Sequence, residues 1–125
     1  MEYVWVGIGA AVGANGRYVL GRTVANWLGT AFPYGTLIIN VTGSLLIGFL
    51  MVIFTERLLL TSNWRLLLVV GLLGGYTTFS SFSYESLNLM QQGRWLESGW
   101  YVLGSVGLSL LACYVGITLG HLVEG

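Results

Sequence analysis

"GGYTTFSSFSYE" occupies residues 74–85, and how it is read decides the fold. Two adjacent glycines, a run of serines and threonines and two phenylalanines three residues apart follow directly on "RLLLVVGLL", 65–73, which is apolar enough for lipid. Gly71, Gly74 and Gly75 ahead of Thr77 and Thr78 make a poor continuous helix, because glycine costs about 1 kcal/mol relative to alanine and threonine is restricted at χ1. An interruption near 74–78 is therefore expected. Within a bilayer such a break survives only where protein or water satisfies the freed backbone groups, and carbonyls at such breaks commonly coordinate ions. Beyond it, Phe79 and Phe82 share a helical face, with Thr77, Ser80, Ser81 and Ser83 supplying hydroxyls around them. A phenyl ring has a positive edge as well as a negative face, so rings presented edge-on can contact an anion. The same F-x-x-F pair can equally pack or face lipid.

Working outward, the chain has 125 residues, 55% hydrophobic and 8% charged, with a mean hydropathy of +0.78. A soluble domain carries about 25% charged residues, so an all-α integral membrane protein is expected. The 19 glycines suit helices that must approach closely where water supplies no driving force. All five cations are arginine and all five anions glutamate, so the net charge is zero and no basic face suggests nucleic acid. Cys113 is the only cysteine, which excludes an intrachain disulfide and a multi-cysteine metal site. It reads as a small apolar helix residue. The hydrophobic N-terminal run lacks a preceding basic residue and is expected to remain as a membrane segment rather than act as a cleaved signal.

A crossing needs about 20 largely apolar residues. The charges divide the chain into four such pieces, about 3–24, 33–55, 65–92 with the break near 74–78, and 98–123, forming a single four-span domain. Pro33 suits the first turn of the second span, and Glu56 and Arg57 close it. Trp27, Trp64, Trp95 and Trp100 fall near expected ends, as an interfacial belt requires. Four spans put both termini on one side with Arg57 and Arg65, and leave Arg22 and Arg94 on the other, with Arg17 able to add to the second group. The positive-inside rule then has little to act on. Such a chain either relies on a partner for orientation or inserts both ways, which permits an antiparallel homodimer with its axis in the membrane plane. An accidental balance in a short chain is the competing reading.

Polar residues within the spans are few. Thr36, Asn40, Gly43 and Ser44 form a narrow stripe on the second span. A mid-membrane amide must be satisfied, either by an interhelical hydrogen bond or as a donor along an ion or substrate path, and Asn40 alone admits both. Tyr101, Ser105 and Ser109, spaced by four, place three hydroxyls along one face of the fourth span. Gly9 with Gly13 and Gly116 with Gly120 are small-xxx-small pairs and read as packing. Arg17 is the one formal charge well inside a span; it either favours anions or snorkels to the interface. No carboxylate lies in the central part of any span, Glu85 being near the end of its own. A small dual-topology multidrug transporter, the alternative reading, would ordinarily need one in its first span to trade protons for cations. A P-loop, a nucleophile with histidine and acidic partners and a metal cluster are all missing from the sequence, so no enzyme is expected. A nontransporting scaffold, with polar residues serving only to join helices, is the remaining rival.

"GANGRY" at 13–18, "PYGTLIINVTGSLLIG" at 33–48 and "GLLGGYTTFSSFSYE" at 71–85 together resemble the Fluc (CrcB) fluoride channel family over essentially the whole chain. The last two motifs are specific in order and spacing. Tyr76 stands where phenylalanine is also usual, and Leu45 where phenylalanine is frequent. The resemblance implies a passive fluoride-selective channel that exports fluoride from the cytoplasm, a multi-pass protein of the inner (plasma) membrane, built as an antiparallel dual-topology homodimer with two pores. By motif, Asn40 resembles the pore asparagine and Phe79 and Phe82 the phenylalanine pair. Tyr101, Ser105 and Ser109 resemble the polar track of the fourth span, and Thr36 and Ser81 resemble further pore-lining positions. Arg17 and Glu85 match vestibule positions. Gly74 and Thr77 match the positions whose carbonyls hold one structural sodium ion on the dimer axis.

Overall fold

The computed structural model describes residues 1–56, 62–77 and 79–124. These residues form helices and the connections between them, with no strand among them. In chain order they are α1 (Glu2–Leu28), α2 (Tyr34–Glu56), α3 (Ser62–Arg65), a π-helical segment (Leu66–Leu73), α4 (Gly74–Tyr76), α5 (Phe79–Gln91) and α6 (Trp95–Glu124). Arg57, expected to help close the second span, lies outside the described residues.

The helix ends have local causes. Gly29, at φ +81°, stops α1 and donates its amide to the Ala25 carbonyl at 2.8 Å. Pro33 stands immediately before α2, where its missing N–H leaves no intrahelical bond unmade. Gly93, at φ +79°, turns the chain from α5 to α6, its amide bonded to Met90 and that of Arg94 to Leu89, both at 2.9 Å. Trp27, Trp64, Trp95 and Trp100 are all exposed, Trp27 closing α1 and Trp95 opening α6.

Among the described residues three helical stretches, Tyr34–Phe54, Asn63–Gln91 and Trp95–Val123, are long and apolar enough to cross a membrane. At 27 residues α1 has the length, about 40 Å at 1.5 Å per residue, but Asn15, Arg17 and Arg22 dilute its apolar character and composition does not set it among the three. The third stretch is irregular. Its eight-residue π-helix is a form that is rare and concentrated at functional sites. Gly74, expected at the interruption, keeps right-handed helical angles (φ −62°, ψ −39°); extended backbone comes at Thr77 (φ −87°, ψ 154°). Thr78 lies outside the described residues.

The glycines act by their lack of bulk. A Cβ on Gly9 or Gly13 would overlap the carbonyl of Leu67 or Leu72 in the π-helix, and one on Gly71 or Gly75 would come within 2.7 Å of the Val6 or Ala10 carbonyl. On the other side of the molecule, a Cβ on Gly48 would meet the Cys113 carbonyl and one on Gly116 the Leu45 carbonyl, while Gly120 packs on Val52. The fold is thus two close helix pairs, α1 with the π-helix and α2 with α6, each allowed by glycine on both partners. α5 packs against α6, where Phe82, Leu89 and Tyr101 form a small buried cluster. Many large apolar side chains, Leu103, Leu110 and Leu122 of α6 among them, point outward.

Candidate functional site

Two cavities contain most of the candidate residues. One, called the inner cavity for its uncharged lining, is about 510 Å³ and is lined from α2 by Asn40, Gly43 and Ser44 and from α6 by Ser105 and Ser109. Gly74, Thr77, Phe79 and Phe82 complete its wall from the third stretch. Asn40 and Ser44 are one turn apart, so α2 turns both to the same side. Gly43 between them leaves room for the Thr77 methyl, which a Cβ there would overlap. The Phe79 and Phe82 rings lie 5.5 Å apart at 48°, with Phe82 buried and Phe79 77% exposed. Ser105 is 5% exposed, yet its hydroxyl has no hydrogen-bond partner among the described residues. A buried polar group left so calls for an explanation such as an absent water or ion.

The outer cavity, about 600 Å³, gathers Arg17 and Arg22 of α1, Thr36 of α2, Ser81 and Glu85 of α5, and Arg94. In its wall the Glu85 carboxylate accepts from the Thr36 hydroxyl at 3.0 Å and the Tyr101 hydroxyl at 2.8 Å. Tyr101 is 1% exposed and lines neither cavity: its ring lies 5.2 Å from Phe82 and meets Phe32 edge-on at 5.4 Å, while its hydroxyl turns to Glu85. The hydroxyl ladder expected on α6 therefore divides, Ser105 and Ser109 lining the inner cavity and Tyr101 buried with its hydroxyl on Glu85. The α2 stripe divides likewise, with Thr36 in the outer chamber and Asn40 in the inner. Arg17 reaches inward and donates from Nε to the Gly75 carbonyl at 3.2 Å.

Arg94 ties down the rim. It donates to the Ala31 carbonyl and pairs with the Glu97 carboxylate, whose hydrogen bond raises the pKa of the guanidinium. In the sequence Arg94 stands out only as an orientation charge, although its i,i+3 spacing from Glu97 is visible there. Also unforeseen were the fully buried Ser98, whose hydroxyl donates to the Ser86 carbonyl at 2.9 Å, and the Ser86 hydroxyl, which donates to the Phe82 carbonyl at 2.8 Å. Neither carries a motif.

Among the described residues no three histidine, cysteine or acidic side chains cluster to hold a metal. A cation here would depend on backbone oxygens. Near Thr77 the Leu73 carbonyl already accepts from the Thr77 amide at 3.0 Å and hydroxyl at 2.9 Å, and that of Gly75 accepts from Arg17. Gly74 faces open space, where a Cβ would come no nearer than 4.0 Å to the Val69 carbonyl. An open glycine beside an extended Thr77 is compatible with a carbonyl-bound alkali cation.

The model of the family described as CrcB-like protein, Camphor Resistance (CrcB), matches residues 4–117. The fluoride-specific ion channel FluC of Magnetococcus marinus is 48% identical over 123 residues, covering 98% of this chain and 100% of that protein. Its namesake in Roseiflexus is 50% identical over 116 residues, 93% of this chain and 94% of the relative. That of Chloroflexus aurantiacus is 49% identical over 120 residues, 96% and 95% respectively.

Proposed function

The chain belongs to the CrcB family, and on that premise we propose how it works as a fluoride channel: fluoride moves passively between the cationic outer chamber and the hydroxyl-lined inner one. It is a multi-pass membrane protein and not an enzyme. Fluoride is small and strongly hydrated, so passage requires donors that replace water closely enough to admit the ion and loosely enough to release it. Arg17, Arg22 and Arg94 draw the anion to the mouth, where Thr36, Ser81 and Glu85 stand. Inside, the Asn40 amide, the Ser105 and Ser109 hydroxyls and the edges of Phe79 and Phe82 receive it without a fixed charge that would trap it. Tyr101, against both Phe82 and Glu85, is the hand-over point. The observation that carries this reading is the buried Ser105 hydroxyl, unpartnered among the described residues and lining a cavity that also holds Asn40 and Phe82.

In this reading α1 also crosses the membrane, bringing the spans to four; it is held against the π-helix by Gly9 and Gly13, and the third span is interrupted at Thr77. Two chains pair antiparallel in the inner (plasma) membrane, giving one pore each and exporting fluoride. The near balance of arginines and the exposed Phe79 support that arrangement. The Gly74 and Thr77 carbonyls would hold a structural sodium ion between subunits, supplying positive charge without blocking either pore. Fluoride efflux from liposomes containing the purified protein, followed with a fluoride electrode and with chloride as control, tests the function. Rapid fluoride release without chloride release is expected; well-folded protein that releases neither overturns the reading.

A further inference from the structure

The segment entering Thr77 is held from α2 by a bond outside both cavities. The Tyr76 phenol lies 2.8 Å from the Thr42 hydroxyl. Thr42 has one hydroxyl proton, and its own helix claims it, with the Ile38 carbonyl at 2.8 Å and that of Ile39 at 3.1 Å. The phenol is therefore the donor and Thr42 the acceptor. The Tyr76 ring fits over Gly43, where a Cβ would stand 3.4 Å from Cδ2 and would overlap the Thr77 methyl. Thr42 and Gly43 thus form one seat for Tyr76 and Thr77, and Thr77, whose backbone is extended, lines the inner cavity.

We infer that the Tyr76 hydroxyl is a positioning group: its bond to Thr42 fixes the end of α4 on α2 and so sets where Thr77 stands in the cavity wall. Its consequence for transport rests on the fluoride-channel reading; its structural part does not. Phenylalanine at 76 keeps the ring on Gly43 and leaves Thr42 satisfied by its own helix, so the fold survives the change. Valine at 42 preserves shape and removes the acceptor.

The test compares Tyr76→Phe, Thr42→Val and the double variant with the native protein, by hydrogen exchange at the Thr77 amide and by fluoride efflux from liposomes. A neutral hydrogen bond contributes about 1 kcal/mol, so each single change should speed Thr77 exchange about fivefold to tenfold, with the double variant no faster than Tyr76→Phe alone. Fluoride efflux should fall in parallel. Unchanged exchange, or effects that add in the double variant, overturns the inference whether or not the native protein conducts. Faster exchange with undiminished efflux overturns its transport part, and a native protein that releases no fluoride condemns the channel reading while exchange still decides the bond.

Discussion

Among single residues, Ser105 offers the cleanest separation of function from stability. Its hydroxyl is buried and makes no protein hydrogen bond among the described residues, so Ser105→Ala removes an unsatisfied group. Thermal unfolding in detergent should show no loss, or a gain of up to about 1 kcal/mol, while fluoride efflux falls; a marked destabilisation would mean that the hydroxyl serves packing. The Glu85 carboxylate behaves oppositely. Thr36→Val and Tyr101→Phe each remove a hydrogen bond to a carboxylate, worth about 1.5–3 kcal/mol, and both should lower the unfolding temperature. At Phe82, substitution by isoleucine keeps the site apolar but removes the ring edge and the tilted contact with Tyr101. Efflux should drop, and the lost ring pairing should cost about 0.5–1.5 kcal/mol beyond the change in buried area. Asn40 stands out in sequence as an amide among apolar residues, and Phe79 and Phe82 as a pair three apart among hydroxyls. The direction of the Tyr101 hydroxyl is not legible there, because a fourfold spacing fixes a face of the helix and says nothing of which neighbour stands opposite.

Between elements, backbone proximity decides. Gly116 of α6 crosses α2 at the Leu45 carbonyl, and any side chain there forces the pair apart. Gly116→Ala should therefore destabilise by about 2 kcal/mol or more, in the range of overpacked cores. Gly107→Ala, on the same helix with nothing within 4 Å, should be neutral or gain up to about 1 kcal/mol from helix propensity. Equal effects at the two positions would contradict the close crossing. The small-xxx-small pairs of α1 and α6 announced these contacts. Within the 74–78 interval where an interruption is expected, Gly74 and Gly75 themselves lie in helix, Gly75 against the Ala10 carbonyl, and extended backbone comes only at Thr77. A propensity of about 1 kcal/mol is readily outweighed by the close packing that a missing side chain allows.

For the whole molecule, the arginine count acquires a geometry. Sequence balances Arg22 and Arg94 against Arg57 and Arg65; the fold adds Arg17 to the first pair around one chamber. If two chains nevertheless insert in opposite directions, a tag at the C-terminus of the native protein should be cleaved by protease equally from either face of sealed membranes. Cleavage from one face alone would exclude the antiparallel pair. The membrane class and the helical character of the segments were determined by the sequence itself, because hydropathy and periodicity are local sums over neighbouring positions. Only the tertiary structure decided that Thr36 and Tyr101 converge on Glu85, that Arg17 reaches Gly75 and that Tyr76 donates to Thr42. Those partners stand 49, 16, 58 and 34 positions apart. A hydrogen bond forms within a few tenths of an ångström of 2.9 Å, and only the angle and depth at which glycine lets two helices cross can bring such distant groups to that separation.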